Sequence, residues 1–302
     1  MQRAGVIGLG DMGSGLAKNL IGSGFETAGF DLDERRMGAF VEMGGRPAAS
    51  VREVGDHADA VFVMVMNGDQ AKAVILGEDG LIHSLKPGST VILTATIRPS
   101  EARGLAKGME GSGIELIDSP VSGGFPGAQS GTLTMMAAGS DEALARCRPA
   151  MTAVSKTIHR VGDEPGMGQT VKACLQSLIG AIYTATFEAT ALAAKAGVKG
   201  QVLYDVFSTS GAGCGVANTA LANIIDRKFV GTGSHIATMH KDLTIALDLA
   251  RELGVPLFTA STAMQLFQAG KTRHPEGDNW VVTRVLEDRR RRAAPLSGEA
   301  IG

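Results

Sequence analysis

The turn GLGDMG at residues 8–13 constrains the fold more than any other stretch of the chain. AGVIG (4–8) leads into it as a short β-branched run, and GSGLAKNLIGSG follows it as a helix-forming one. In a GxGxxG turn so placed, Gly8 permits the tight bend, Gly10 lets the backbone approach a pyrophosphate, and Gly13 allows the helix to pack close to the strand. The helix start then turns N–H groups and a partial positive charge toward the phosphates. A second run, FETAGF (25–30), ends just before Asp31. That is the ~20-residue offset expected of a carboxylate that binds ribose hydroxyls. A carboxylate there repels a 2′-phosphate, so NAD is expected over NADP. Arg35 and Arg36, just beyond, read as a solvated helix start in preference to the alternative, a partial offset to that repulsion.

The strand–helix alternation continues through DAVFVMVM (59–66), STVILT (89–94), IELID (114–118), TLTMMAAG (132–139) and KTIHRVG (156–162). Short apolar runs flanked by Gly, Pro and Asp suit strands buried on both faces of a parallel sheet. After GDEPGMG (162–168) strand signals nearly vanish, and a helix is expected from about 167 to 196, with others near 200–209, 215–226, 234–252 and 256–269. The expectation is an α/β chain: a Rossmann-type doubly wound, mostly parallel sheet (1–163), a long interdomain helix, and an all-α C-terminal domain (164–288) for substrate and oligomerisation. Residues 289–302, with Arg289–Arg292, read as a flexible tail.

A formal net charge of −2 over 302 residues offers no basic field for a nucleic acid backbone. Three cysteines without CxxC spacing suggest neither a disulfide framework nor a zinc site, and fit a reducing cytoplasm. His235 and His240 are five apart with no carboxylate at ligand spacing, so no metal is expected. Residues 173–187 read as too short and too polar to cross a bilayer, and the N-terminal strand leaves no room for a signal peptide. Cys174 reads as a small buried hydrophobe, Asn218 as a local cap, and Asp278 and Trp280 as boundary packing.

One ammonium group demands an explanation. From Gly166 to Ala194 the only side chains of fixed charge are Lys172 and Glu188. DSPVSGG (118–124), at a strand end, sets a hydroxyl and two glycine N–H groups in one small volume, a fair receptor for a carboxylate. Four ordered segments, GLGDMGSGLAKNL, DSPVSGGFPGAQSGTL, GMGQTVK and KDLTIALDLA, resemble the β-hydroxyacid dehydrogenase family over about residues 4–286. The resemblance implies that Lys172 is the catalytic acid/base. It implies that Ser122, Gly123, Gly124, Gln176 and Lys241 bind substrate, with Asp242 in support. For the cofactor it implies Gly8, Gly10, Asp11, Met12, Gly13, Asp31, Met66, Asn67, Thr96 and Lys241. Oxidising an alcohol while hydride leaves requires a base, and burial beside a nicotinamide cation would bring a lysine down toward neutrality.

The chain departs from the family pattern in three places. Leu175 and Gln176 stand where two asparagines usually do, Asn67 replaces a proline, and Ala95 replaces a serine. Gln176 with VMNGDQ (65–70) looks closest to the L-threonate dehydrogenase branch. The implied activity is NAD-dependent oxidation of a small hydroxy acid, a threonate-like four-carbon aldonate. The implied assembly is a homodimer or homotetramer. Alternatives are reduction of tartronate or succinic semialdehyde, a 3-hydroxyisobutyrate dehydrogenase, and, from another class, a non-catalytic dinucleotide-binding protein.

Overall fold

The computed structural model describes residues 2–287; the arginine-rich tail from Arg289 lies outside them. Nine strands form one sheet: β1 (Arg3–Ile7), β2 (Glu26–Phe30), β3 (Arg46–Pro47), β4 (Ala60–Val63), β5 (Thr90–Leu93), β6 (Glu115–Asp118), β7 (Val121–Ser122), β8 (Leu133–Ala138) and β9 (Ser155–Gly162). Their order is β3-β2-β1-β4-β5-β6-β8-β7, with β9 beside β8. The first six strands are parallel, whereas β8 runs antiparallel to β6 and β7. The order reverses direction between β1 and β4, which is where an open α/β sheet receives ligands.

Alternate residues of the same strands enter opposite cores. Val6, Phe62, Ile92 and Ile117 face one cluster with Leu16, and Ile7, Val61, Val91 and Leu116 face the other with Val54. A period of two with both faces apolar is what a parallel sheet covered on each side requires. The two-residue strands β3 and β7 carry no run long enough to register as periodic, and the sequence expectation lacks them.

Contacts group the chain into two compact units. One comprises residues 1–177 with 242–256; the other comprises Leu178–Lys241 with the chain from Leu257 onward. The second is helical: Gly200–Thr209, Gly215–Ile225 and Phe258–Arg273, then a final turn Val282–Glu287 absent from the sequence expectation. Its core stacks Tyr183 on Phe187 at 5.8 Å between ring centroids, with Trp280 edge-on to Tyr183 at 5.9 Å. Asp278 is fully buried there and accepts from the Thr232 amide at 2.7 Å and hydroxyl at 2.8 Å. Both Asp278 and Trp280 therefore belong to this unit's own core. Asn218 does not cap the helix it was expected to cap; Cys214 holds that position and no side chain caps it.

The helix Met167–Lys195 contributes to both units. It is not buried all round: Leu178 and Leu192 are 58% and 73% exposed, and Cys174 is exposed rather than buried. At 29 residues it is long and apolar enough to cross a membrane by length and composition. Its polar residues argue for a core helix instead, because Gln169, Lys172 and Gln176 are all buried and hydrogen-bonded within the sheet unit.

Candidate active site

The residues singled out from the sequence follow the carboxyl ends of neighbouring strands. The turn 8–13 follows β1, Met66 and Asn67 follow β4, Thr96 follows β5, and the 118–124 segment closes β6. At ~4.8 Å between strands these four ends form a row about 15 Å long.

Within the first turn the glycines do different work. A side chain at Gly8 or Gly13 would strike backbone carbonyls of this chain, so the fold itself requires them. At Gly10 an added Cβ would meet only the guanidinium of Arg36, at 3.8 Å. Packing leaves that space open, and Gly10 is the N-cap of the helix Asp11–Gly22 with no side chain capping it. A cavity of about 340 Å³ opens beside it, lined by Leu9, Gly10, Ser14, Arg35, Arg36 and Phe40 among others. Open space above uncapped helix N–H groups fits a pyrophosphate.

Asp31 holds this turn in shape. It accepts from the Leu9 amide at 2.7 Å and the Asp33 amide at 2.9 Å, and pairs with Arg36 at 3.3 Å. Arg36 Nη1 reaches both carboxylate oxygens, at 3.4 and 3.3 Å, so all of the roughly four acceptor sites are in use, and these two long contacts are the ones a ribose hydroxyl would displace. Arg36 is thus more than a solvated helix start: it sits against the Asp31 carboxylate and lines the cavity. Asp11 is exposed and Met12 half-buried at the start of the same helix. Asn67 caps the helix Gly68–Leu76 by accepting from the Gln70 amide at 2.9 Å, while Gln70 accepts from Met66 N at 2.9 Å.

At the β6 end, Ser122 is half-buried, and Gly123 and Gly124 are exposed with φ of 130° and 59°. Both values lie where a side chain is strained, so the double glycine is a backbone requirement. Lys172, 7% exposed, donates to the Val121 carbonyl at 2.8 Å, which fixes the ammonium one residue from Ser122. One turn on, Gln176 donates to Asp242 at 2.6 Å, and both are buried. Lys241 precedes Asp242 in the helix Ile236–Leu253, is half-buried, and belongs to the other compact unit.

The start of the lysine-bearing helix holds a group the sequence reading passed over. Asp118 is fully buried and accepts from Gly166 N at 2.7 Å, Gln169 N at 3.2 Å and Gln169 Nε2 at 2.8 Å. Burial pushes its carboxyl above the ordinary value, and the amides of Gln169, Gly166 and Gly168 pull the other way. Gln169, 1% exposed, also donates to the Ala95 carbonyl at 3.0 Å and accepts from Ile97 N at 3.0 Å. The available signal was a lone amide one turn before Lys172 in an apolar helix.

Two family models cover nearly the whole chain. Residues 3–162 match the NAD binding domain of 6-phosphogluconate dehydrogenase, and residues 166–286 match the NAD-binding domain of NADP-dependent 3-hydroxyisobutyrate dehydrogenase. The chain belongs to the β-hydroxyacid dehydrogenase family. It is an NAD-dependent hydroxyacid dehydrogenase of the 3-hydroxyisobutyrate dehydrogenase type. An Escherichia coli L-threonate dehydrogenase is 35% identical over 93% of this chain and 94% of its own length. A probable mitochondrial 3-hydroxyisobutyrate dehydrogenase of Dictyostelium discoideum is also 35% identical, over 87% of this chain and 84% of its own. The crystal structure of a Salmonella typhimurium 3-hydroxyisobutyrate dehydrogenase superposes with a TM-score of 0.87 at 33% identity, over 94% of this chain and 100% of that one. Members of this dehydrogenase family thus share its fold, while equal identity to differently named relatives leaves the substrate to the site.

Proposed function

We propose that this dehydrogenase oxidises a threonate-like, four-carbon hydroxy acid, with Lys172 as the acid/base. The observation that carries the assignment is the buried ammonium held on the Val121 carbonyl, one residue from the Ser122–Gly124 segment. Bound NAD supplies the hydride acceptor. The turn 8–13 and Asp31 hold its phosphates and ribose, with Met66, Asn67 and Thr96 further along the same row of strand ends. Ser122 and the N–H groups of Gly123 and Gly124 receive the substrate carboxylate. Lys172, deprotonated, takes the proton from the substrate hydroxyl as hydride departs, and as an ammonium returns it in the reverse direction. The Val121 carbonyl keeps Nζ oriented through either step.

Gln176 and Asp242 support the polyhydroxylated substrate. Their bond presents a buried amide and carboxylate one turn beyond the lysine, a pair able to meet a second hydroxyl. Lys241 stays in the proposal on the KDL pattern alone. The apolar side chains Leu178, Leu192, Val202 and Val206, all at least half exposed, support association with a second copy. Free Cys147, Cys174 and Cys214 suit a reducing compartment.

The deciding assay is NAD reduction with L-threonate, 3-hydroxyisobutyrate and other C3–C6 hydroxy acids, beside oxidation of reduced cofactor with tartronate and succinic semialdehydes. L-threonate should give the highest kcat/KM; a larger value for 3-hydroxyisobutyrate or a semialdehyde would reassign the substrate. Lys172→Ala should lose at least ~10²-fold in kcat while still binding NAD. Near-wild-type turnover would remove Lys172 from the chemistry.

A further inference from the structure

The Gln169 amide makes three hydrogen bonds to two separate segments of the sheet unit. Its Nε2 donates to Ala95 O at 3.0 Å and to Asp118 Oδ1 at 2.8 Å, and its Oε1 accepts from Ile97 N at 3.0 Å. A flipped amide would set its oxygen against two acceptors and its NH₂ against a donor, so only one orientation satisfies all three. Ala95 and Ile97 flank Thr96 in the segment after β5, and Asp118 opens the 118–124 segment. Both segments therefore take their position from the first turn of the helix that carries Lys172.

The circuit closes on itself. Asp118 accepts from Gly166 N and Gln169 N, which anchors the helix start. Three residues on from Asp118, the Val121 carbonyl accepts from Lys172 Nζ at 2.8 Å, and Lys172 lies one turn after Gln169 on the same helix face. At Gly168 an added Cβ would lie 2.6 Å from both the Asp118 and Met136 carbonyl oxygens, so the helix start is pressed directly onto β6 and β8. Gln169 and Asp118 are 1% and 0% exposed. Water does not compete for these bonds.

We propose that Gln169 and Asp118 are positioning residues: through the Ala95, Ile97 and Val121 backbone they fix the distance from Lys172 Nζ to the segments around Thr96 and Ser122. Neither touches the reacting atoms. The inference rests on Lys172 being the acid/base, and it extends that reading by naming what keeps the lysine in register.

Gln169→Met, close in size but with neither amide donor nor acceptor, is the test, assayed with NAD and whichever of L-threonate, 3-hydroxyisobutyrate and L-serine the wild type turns over. Misplacing a reacting group by ~1 Å costs about 10²-fold. The expected result is a kcat per folded site about 10- to 100-fold lower, with NAD affinity within about threefold of wild type. In a Lys172→Ala background the same change should cost less than about twofold more, because residues acting through one group are not additive. A fully multiplicative loss, or a lowered melting temperature with kcat per folded site unchanged, overturns the proposal. Gln169→Asn draws the amide back by one methylene and covers the case in which the methionine variant does not fold. A tenfold loss there with NAD binding intact supports the clamp, and a kcat within twofold of wild type refutes it. Should Lys172→Ala itself turn over normally, the functional reading falls and this inference with it. An inactive Lys172→Ala beside a fully active Gln169→Met would remove only the clamp.

Discussion

Two helices of the sheet unit begin at glycine-led turns on strand ends, and they use the same device to opposite purposes. At residues 8–13 the helix start is left open: Gly10 has no capping side chain and no backbone over it. At residues 166–169 the start is already filled, by the Asp118 carboxylate and by strand carbonyls packed against Gly168. Exposed amide donors at a helix start make a place for an anion. Once the chain's own carboxylate occupies them, the same donors make a rigid joint. Which of the two a glycine motif encodes depends on what lies opposite it in space, and the motif does not carry that information.

Substitution at the two glycines separates these purposes. Gly168→Val should be the more damaging to the fold, because its branches must enter space held by two carbonyl oxygens at 2.6 Å from the Cβ position. Overpacking of this kind costs about 1–3 kcal/mol, and backbone contacts put it at the upper end. Urea denaturation would read it as a lower midpoint, and an unchanged midpoint would mean that the helix start is loosely seated. Gly10→Val should leave the unfolding free energy within about 0.5 kcal/mol, the usual range for a surface change, while weakening NAD binding at least tenfold, or ~1.4 kcal/mol. If the two variants traded effects, the contrast drawn between the turns would be reversed.

Arg36 offers a smaller handle on the open turn. It pairs with Asp31 at 3.3 Å while half exposed, so it screens the carboxylate that disfavours a 2′-phosphate. Removing it in Arg36→Ala should raise the ratio of kcat/KM for NAD over NADP by roughly two- to fivefold, the scale of an exposed pair worth under about 1 kcal/mol. A fall in that ratio would show that Arg36 serves the adenosine by another contact.

The open turn was legible in the sequence because its parts are local: Gly8, Gly10, Gly13 and Asp31 follow one strand–helix–strand unit at fixed offsets. Seven strands and the long helix were legible because their apolar runs exceed the length of a turn. The filled turn was not. Asp118 and Gln169 are 51 residues apart, and only the fold brings the carboxylate under the helix. The same holds for Gln176 with Asp242, 66 residues apart. Arg36 was misread for a related reason: an arginine at a helix start looks solvated until the carboxylate beside it is placed. Cys174 was misread because an apolar helix does not declare which of its faces the single chain leaves open.

Strand β6 carries the comparison to its last and smallest effect, since it bears a carboxylate at each end. At the carboxyl end Asp118 is sealed from water. At the amino end Glu115 pairs with Arg146 and accepts from the Ser140 hydroxyl, and it remains about one-third exposed. Burial alone would raise the Glu115 carboxyl, but Ser140 and Arg146 outweigh it and hold the group below its ordinary value. A carboxylate depressed in the folded state stabilises the fold above its unfolded value of 4.5 and loses that contribution as pH falls through the lower folded value. Solvent screening limits the size to under about 1 kcal/mol. Arg146→Met should therefore bring the stabilities of wild type and variant together as the pH drops below about 4.5, with the gap open and constant from pH 6 to 8. Denaturation midpoints across that range check it. A gap that widened on acidification would mean that Glu115 is not the group being stabilised, and that β6 is held at its amino end by the packing of Arg146 rather than by charge.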